Sequence, residues 1–211
     1  GGSSRGVADT RQGLADIGMV SRAMKDDERD LSAFPVARDG VCPILHQENP
    51  VQALTDEQIV EIYTGKISNW KLVGGTDAPI TVVNKADGRS TLEVFLQYFK
   101  LKNSDVKAHV VIGDNEQGVK TVAGNRNAIG YVSIGTAEYD ATHGVPIKLL
   151  PIGGVAASTE NVRMGVFPLS RPLHLVTRIT PSGLAKAFIE YAQSKAVHDL
   201  ISQQYFVPLA H

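Results

Sequence analysis

Asn84–Lys85–Ala86–Asp87–Gly88–Arg89–Ser90–Thr91 follows the apolar run Ile80–Val83 and precedes Leu92, Phe95, Leu96 and Phe99 at helical spacing. This reads as a buried strand, a tight polar loop and the N-terminus of a helix. The first turn of a helix has unpaired N–H groups and a partial positive charge. A loop that brings Gly88, Arg89, Ser90 and Thr91 there is suited to an anion. A plainer reading stands beside it. Ser90 and Glu93 have the spacing of a capping box, and Asp87–Gly88 that of an ordinary turn. On the loop alone, the cap is the commoner outcome.

The chain has 211 residues, 43% hydrophobic and 20% charged, enough for one large domain or two small lobes with a real core. With 21 basic and 22 acidic residues the net charge is −1, so no global field favours nucleic acid or a membrane surface. An anion must be captured by a local cluster. The one cysteine, Cys42, sits in the apolar run Val41–Leu45 and reads as core filler. No apolar run is long enough to span a membrane, and no signal peptide is visible. The chain opens abruptly on Gly1–Gly2–Ser3–Ser4, as the middle of a longer precursor would.

Short strands alternate with helices, which predicts an α/β fold with largely parallel pairing. Gly1–Gly6 leads into a helix over about Val7–Gln12, and Ala15–Val20 reads as a strand ending at Ser21–Arg22. Phe34–Val36 and Val41–His46 read as two strands, with a possible turn at Asp39–Gly40. Lys25–Asp30 reads as an exposed charged segment. Thr55 and Gln58 form a capping box that opens a helix with Ile59, Ile62 and Tyr63 on one face. Thr180–Pro181 starts another, with Leu184, Phe188 and Tyr191 aligned.

No committed catalytic centre emerges, so the chain is not read as an enzyme. The six histidines, His46, His109, His143, His174, His198 and His211, have no metal-ligand spacing, and no cofactor loop is present. Gly88–Leu92 lacks the second glycine of a nucleophile elbow. What converges instead is a set of donors. Ser3, Ser4, Ser90 and Thr91 bring hydroxyls; Arg22 and Arg89 bring guanidinium forks suited to tetrahedral oxyanions. The plain alternative for Arg22 is a salt bridge to Asp26 or Glu28.

Taken together, several stretches resemble the phosphate-binding proteins of ABC phosphate importers. They are Gly1–Gly6 with Ala15–Gly18, Asn49–Val51, Leu54–Ile59, Ile62–Trp70, Asp87–Thr91 and Ala128–Val132. Each is weak alone; their order and spacing are specific, and they cover nearly the whole chain. The resemblance implies a two-lobed periplasmic-binding-protein fold of type II. Lobe 1 would be residues 1–46 plus 149–211 and lobe 2 residues 47–148, with Val41–His46 and Leu149–Val155 crossing between them. It implies capture of inorganic phosphate between the lobes, delivery to an ABC permease, and a periplasmic or cell-surface location. It carries phosphate contacts onto Ser3, Arg89, Ser90 and Thr91, and places Lys85 where many relatives have a phosphate-linked arginine, with Asp87 as its partner.

Two departures follow from the same resemblance. Relatives begin with a further strand, Ser/Thr loop and helix. Lobe 1 is then expected to have a gap, which a neighbouring chain in a homodimer could fill. Many relatives also carry an aspartate at the position of Arg22, which accepts the proton of hydrogen phosphate and rejects sulfate. The expected ligand set is therefore Ser3, Ser4, Arg22, Lys85, Asp87, Arg89, Ser90 and Thr91. The alternatives are a sensing or protein-interaction module on the same fold, or a binder of another oxyanion such as sulfate or molybdate.

Overall fold

A computed structural model describes residues 2–209. Gly1 and His211 of the readings above lie outside them. The elements in order are α1 (Ser3–Arg11), β1 (Gly18–Val20), β2 (Ser32–His46), α2 (Asp56–Tyr63), β3 (Thr81–Lys85), α3 (Ser90–Phe99), β4 (Val110–Ile112) and α4 (Asn115–Ala123). Then come β5 (Ala128–Ser133), α5 (Ile134–Thr142), β6 (Ile147–Leu149), α6 (Thr159–Arg163), β7 (Ser170–Thr177), α7 (Gly183–Ala192), α8 (His198–Gln203) and β8 (Val207–Pro208).

The strands run in the order β1-β7-β2-β5-β3-β4, with β6 and β8 also pairing β2. The α/β class holds, but the parallel expectation does not. Among the described residues only β3 pairs in parallel, with β4 and β5; β2 pairs antiparallel with β5, β6, β7 and β8. One long strand causes this. The first half of β2 pairs β7 and its second half pairs β5, so it ties two parts of the sheet together.

Asp39–Gly40 is therefore no turn; it lies inside β2. Gly40 is needed for packing. A Cβ there would sit 2.6 Å from Ile134 Cδ1 and 2.7 Å from Val162 Cγ2. Lys25–Asp30 is likewise not wholly exposed, because Glu28 is buried.

The main core lies between β2, β3 and β5 and the helices that cover them. The Thr55–Gln58 capping box forms as read and buries Ile59, Ile62 and Tyr63. Phe95 of α3 stacks on Tyr131 of β5 at 3.9 Å between ring centroids. Each such side chain removed from water contributes about 1.5–3 kcal/mol. Together they fix the start of α3 at the C-terminal end of β3, where the polar loop lies. The face of α7 carrying Leu184, Phe188 and Tyr191 points outward, and only Ile189 of that helix is buried.

Candidate anion site

Two helix starts meet at the loop. Gly2 precedes α1 with φ +130°, and a Cβ on it would lie 2.3 Å from the carbonyl oxygen of Gly88. Only glycine allows that approach. Gly88 itself has φ +78°, which turns the chain into α3. The residue at the N-cap of α3 is Arg89, not Ser90, and neither α1 nor α3 has a side-chain cap. The Ser90–Glu93 capping box does not form. With no side-chain oxygen capping them, the first N–H groups of both helices keep their partial positive charge. Ser3 and Ser90 line one cavity of about 430 Å³, with Gly2 and Ser21. Ser3 is buried, and its Oγ accepts from Ser21 N at 2.9 Å.

Beneath Ser90 and Thr91 lies a residue that the sequence reading missed. Arg171 of β7 is buried, and its Nη1 donates to Ser90 Oγ at 3.2 Å and to Thr91 Oγ1 at 3.1 Å. Its Nε and Nη2 both donate to Asp39 Oδ2, at 2.9 and 2.6 Å. Asp39 Oδ1 accepts from Ser133 Oγ at 2.8 Å. Ser133 N in turn donates to Asn115 Oδ1, which also accepts from Lys85 Nζ at 3.1 Å. A chain of hydrogen bonds thus links Lys85 of β3 to Ser90 and Thr91 of α3 through α4, β5, β2 and β7. Such networks hold side chains in one arrangement when every member is satisfied.

Lys85 is 3% exposed. Burial drives its pKa down to about 7; Asp114 opposes this, and Arg171 and Arg89 add to it. Arg89 is half-buried, and among the described residues its guanidinium has no hydrogen bond or ion pair. A Cβ on Gly113 would come within 3.4 Å of its Nη2, which places it over the ends of β3 and β4.

Three expected residues are turned to other work. Arg22 is 3% exposed and grips Glu28 with Nη1 and Nη2, each at 2.7 Å, while its Nε donates to Glu93. The partner is Glu28, as the plain alternative allowed, but the pair is buried rather than superficial. Ser4 Oγ donates to Glu93 Oε1 at 2.8 Å, so it serves that carboxylate and not the cavity. Asp87 is exposed and accepts from Asn103 Nδ2 at 2.7 Å; it is not the partner of Lys85. The structure brings together Ser3, Lys85, Arg89, Ser90 and Thr91, and adds Arg171. Little in the sequence points to Arg171: Asp39 shares β2 with Arg38, and Arg171 shares β7 with Ser170, His174 and Thr177, so nothing local singles out this pair.

This arrangement of uncapped helix starts, hydroxyls and buried cations around one loop is that of an anion-binding protein on a sheet built about a long shared strand. The chain matches the PBP superfamily domain over residues 1–196. A Clostridium perfringens protein classed as a phosphate ABC transporter substrate-binding protein, solved with bound phosphate, is 34% identical; the TM-score is 0.87, covering 99% of this chain and 85% of that one. An ABC-type phosphate transport receptor from Vibrio cholerae is 30% identical, with a TM-score of 0.83 over 99% of this chain and 86% of that one. The phosphate-binding protein PstS of Bacillus subtilis is 28% identical over 214 residues, 99% of this chain and 69% of that protein. The chain belongs to the PBP superfamily and, within it, to the PstS-like phosphate-binding proteins.

Proposed function

We propose that this chain captures inorganic phosphate at the 84–91 loop and hands it to an ABC permease. The observation that carries this is the divided fork of Arg171. Two of its nitrogens are anchored on Asp39, and the third is directed at the hydroxyls of Ser90 and Thr91. A guanidinium and two hydroxyls then stand at the uncapped start of α3, with Lys85 below and Arg89 without a partner. A tetrahedral oxyanion there would receive donors from Ser3, Arg89, Ser90, Thr91 and Arg171. A hydrogen bond to a charged group contributes about 1.5–3 kcal/mol, and micromolar binding needs about 8 kcal/mol, so a handful of donors suffices.

In this reading residues 1–46 plus 149–211 form one lobe and 47–148 the other, with the cavity between Ser3 and Ser90 at their junction. Among the described residues no helix is long and apolar enough to cross a membrane. A carrier role in phosphate transport fits the relatives' names, and we extend it to an extracytoplasmic location. In this reading Ser90 serves the anion as a donor rather than acting as a nucleophile, since among the described residues its hydroxyl contacts Arg171 and no base. Among the described residues strand β1 has β7 as its one partner, so a second copy pairing along β1 would give a homodimer; a strict monomer by light scattering at high concentration counts against that part.

Calorimetric titration with phosphate tests the function. Saturable heat is expected, and Arg89→Ala should weaken affinity roughly ten- to a hundredfold with an unchanged melting temperature. No heat at millimolar phosphate from folded protein overturns the reading. Tighter binding of sulfate or molybdate would reassign the ligand.

A further inference from the structure

Lys85 is unusual among the charged groups of the site. Its ammonium is buried, yet its one hydrogen bond goes to a neutral amide, Asn115 Oδ1. Among the described residues no carboxylate lies within ion-pair distance of it. The groups facing it come from four elements, α3, α4, β5 and β7. Arg89 stands at the start of α3 and Arg171 on β7, both repelling a second positive charge. Asp114, which caps α4, is the one attracting charge. From β5, Tyr131 places its hydroxyl 3.4 Å from the backbone N of Lys85, and from α4, Gly118 leaves room beside Nζ. A buried ammonium with one neutral acceptor and two guanidinium neighbours is poorly supported by the protein groups around it.

We propose that Lys85 is the proton-coupled member of the anion site: the arriving oxyanion draws a proton onto its amine, so that capture of a doubly charged anion takes up a proton. This rests on the anion-binding reading above. The balance is simple. The neutral amine, one proton from solvent and the dianion give an ammonium beside the dianion, and no bond other than N–H forms. Burial pushing the Lys85 amine down to about 7 agrees with this geometry. Above that pH each capture event must recruit a proton, so affinity for a dianion falls up to tenfold per pH unit. An arginine at this position stays charged and has no such dependence.

The test is phosphate titration calorimetry at pH 8 in two buffers of different ionisation enthalpy. The difference in heat between buffers counts the protons exchanged. Wild type is expected to take up nearly one proton more than Lys85→Arg, a comparison that cancels the titration of phosphate itself. Equal proton counts in two proteins that both bind would overturn the role of Lys85 and leave the function standing. No binding by folded wild type would overturn the function and this inference together. Should Lys85→Arg fold poorly, lysine-selective 13C labelling of the unchanged chain decides. One lysine Cε should titrate near neutrality in the empty protein and lose that titration in saturating phosphate; no lysine titrating below about pH 9 overturns the proposal.

Discussion

Asp39 and Arg171 stand directly opposite one another across the antiparallel pair β2–β7, and both side chains are buried. Their ion pair holds the guanidinium whose remaining arm reaches Ser90 and Thr91. A buried pair broken by removing one partner costs about 3–5 kcal/mol, whereas replacing both partners can be nearly neutral. Arg171→Met should therefore lower unfolding stability by that amount. Asp39→Asn combined with Arg171→Met should recover most of the stability and none of the phosphate affinity. Urea unfolding beside calorimetry separates the two effects.

Glu93, one turn into α3, is held by Ser4, Lys25 and Arg22 from the first 25 residues of the chain. Burial would raise its carboxyl, but hydrogen bonds from Arg22, Lys25 and Ser4 outweigh burial and hold it below its ordinary value. Glu28 is lowered in the same way, with burial opposed by Arg22 and the Lys25 backbone. A depressed carboxyl adds stability that is present above its unfolded pKa and lost as pH falls through the folded one. The loss of stability between roughly pH 5 and pH 3 should be shallower in Glu93→Gln than in the wild type. Thermal unfolding across that range measures it; identical slopes would remove Glu93 from the acid response.

Gly2 and Gly88 set the distance between the two helix starts. Gly2→Ala introduces a Cβ where the Gly88 carbonyl oxygen stands, at a φ that L-residues rarely adopt. The expected result is a loss of about 1–3 kcal/mol in stability and weaker phosphate binding, since α1 must withdraw from the loop. Phosphate affinity at the wild-type level would show that Ser3 does not take part.

Cys42 is fully buried, and burial pushes its thiol well above the usual range, with the nearby charge of Asp39 acting in the same direction. It should resist an aromatic disulfide reagent in the native protein and react fully in denaturant. Rapid native labelling would mean that the β2–β5 core opens readily.

Local pattern carries far in this chain. The Thr55–Gln58 box with Ile59, Ile62 and Tyr63, and the strand–loop–helix at 80–99, were legible because cap spacing and helical periodicity involve neighbours in sequence. Pairing direction was not. Parallel β3 and antiparallel β2 differ little in their residues, and what separates them is which strand lies alongside. The α7 face shows the same limit, since Leu184, Phe188 and Tyr191 align as periodicity demands yet face outward.

The site divides in the same manner. By itself the sequence determined that Arg89, Ser90 and Thr91 open a helix at the end of a strand, because backbone geometry follows from adjacent residues. Only the tertiary structure decided which cations serve that helix start. Arg22, 71 residues from Glu93, is consumed by carboxylates, and Arg171, 81 residues from Ser90, is delivered to the hydroxyls. Those assignments depend on strand register and on the cost of burying a charge without a partner, which no local stretch of the chain encodes.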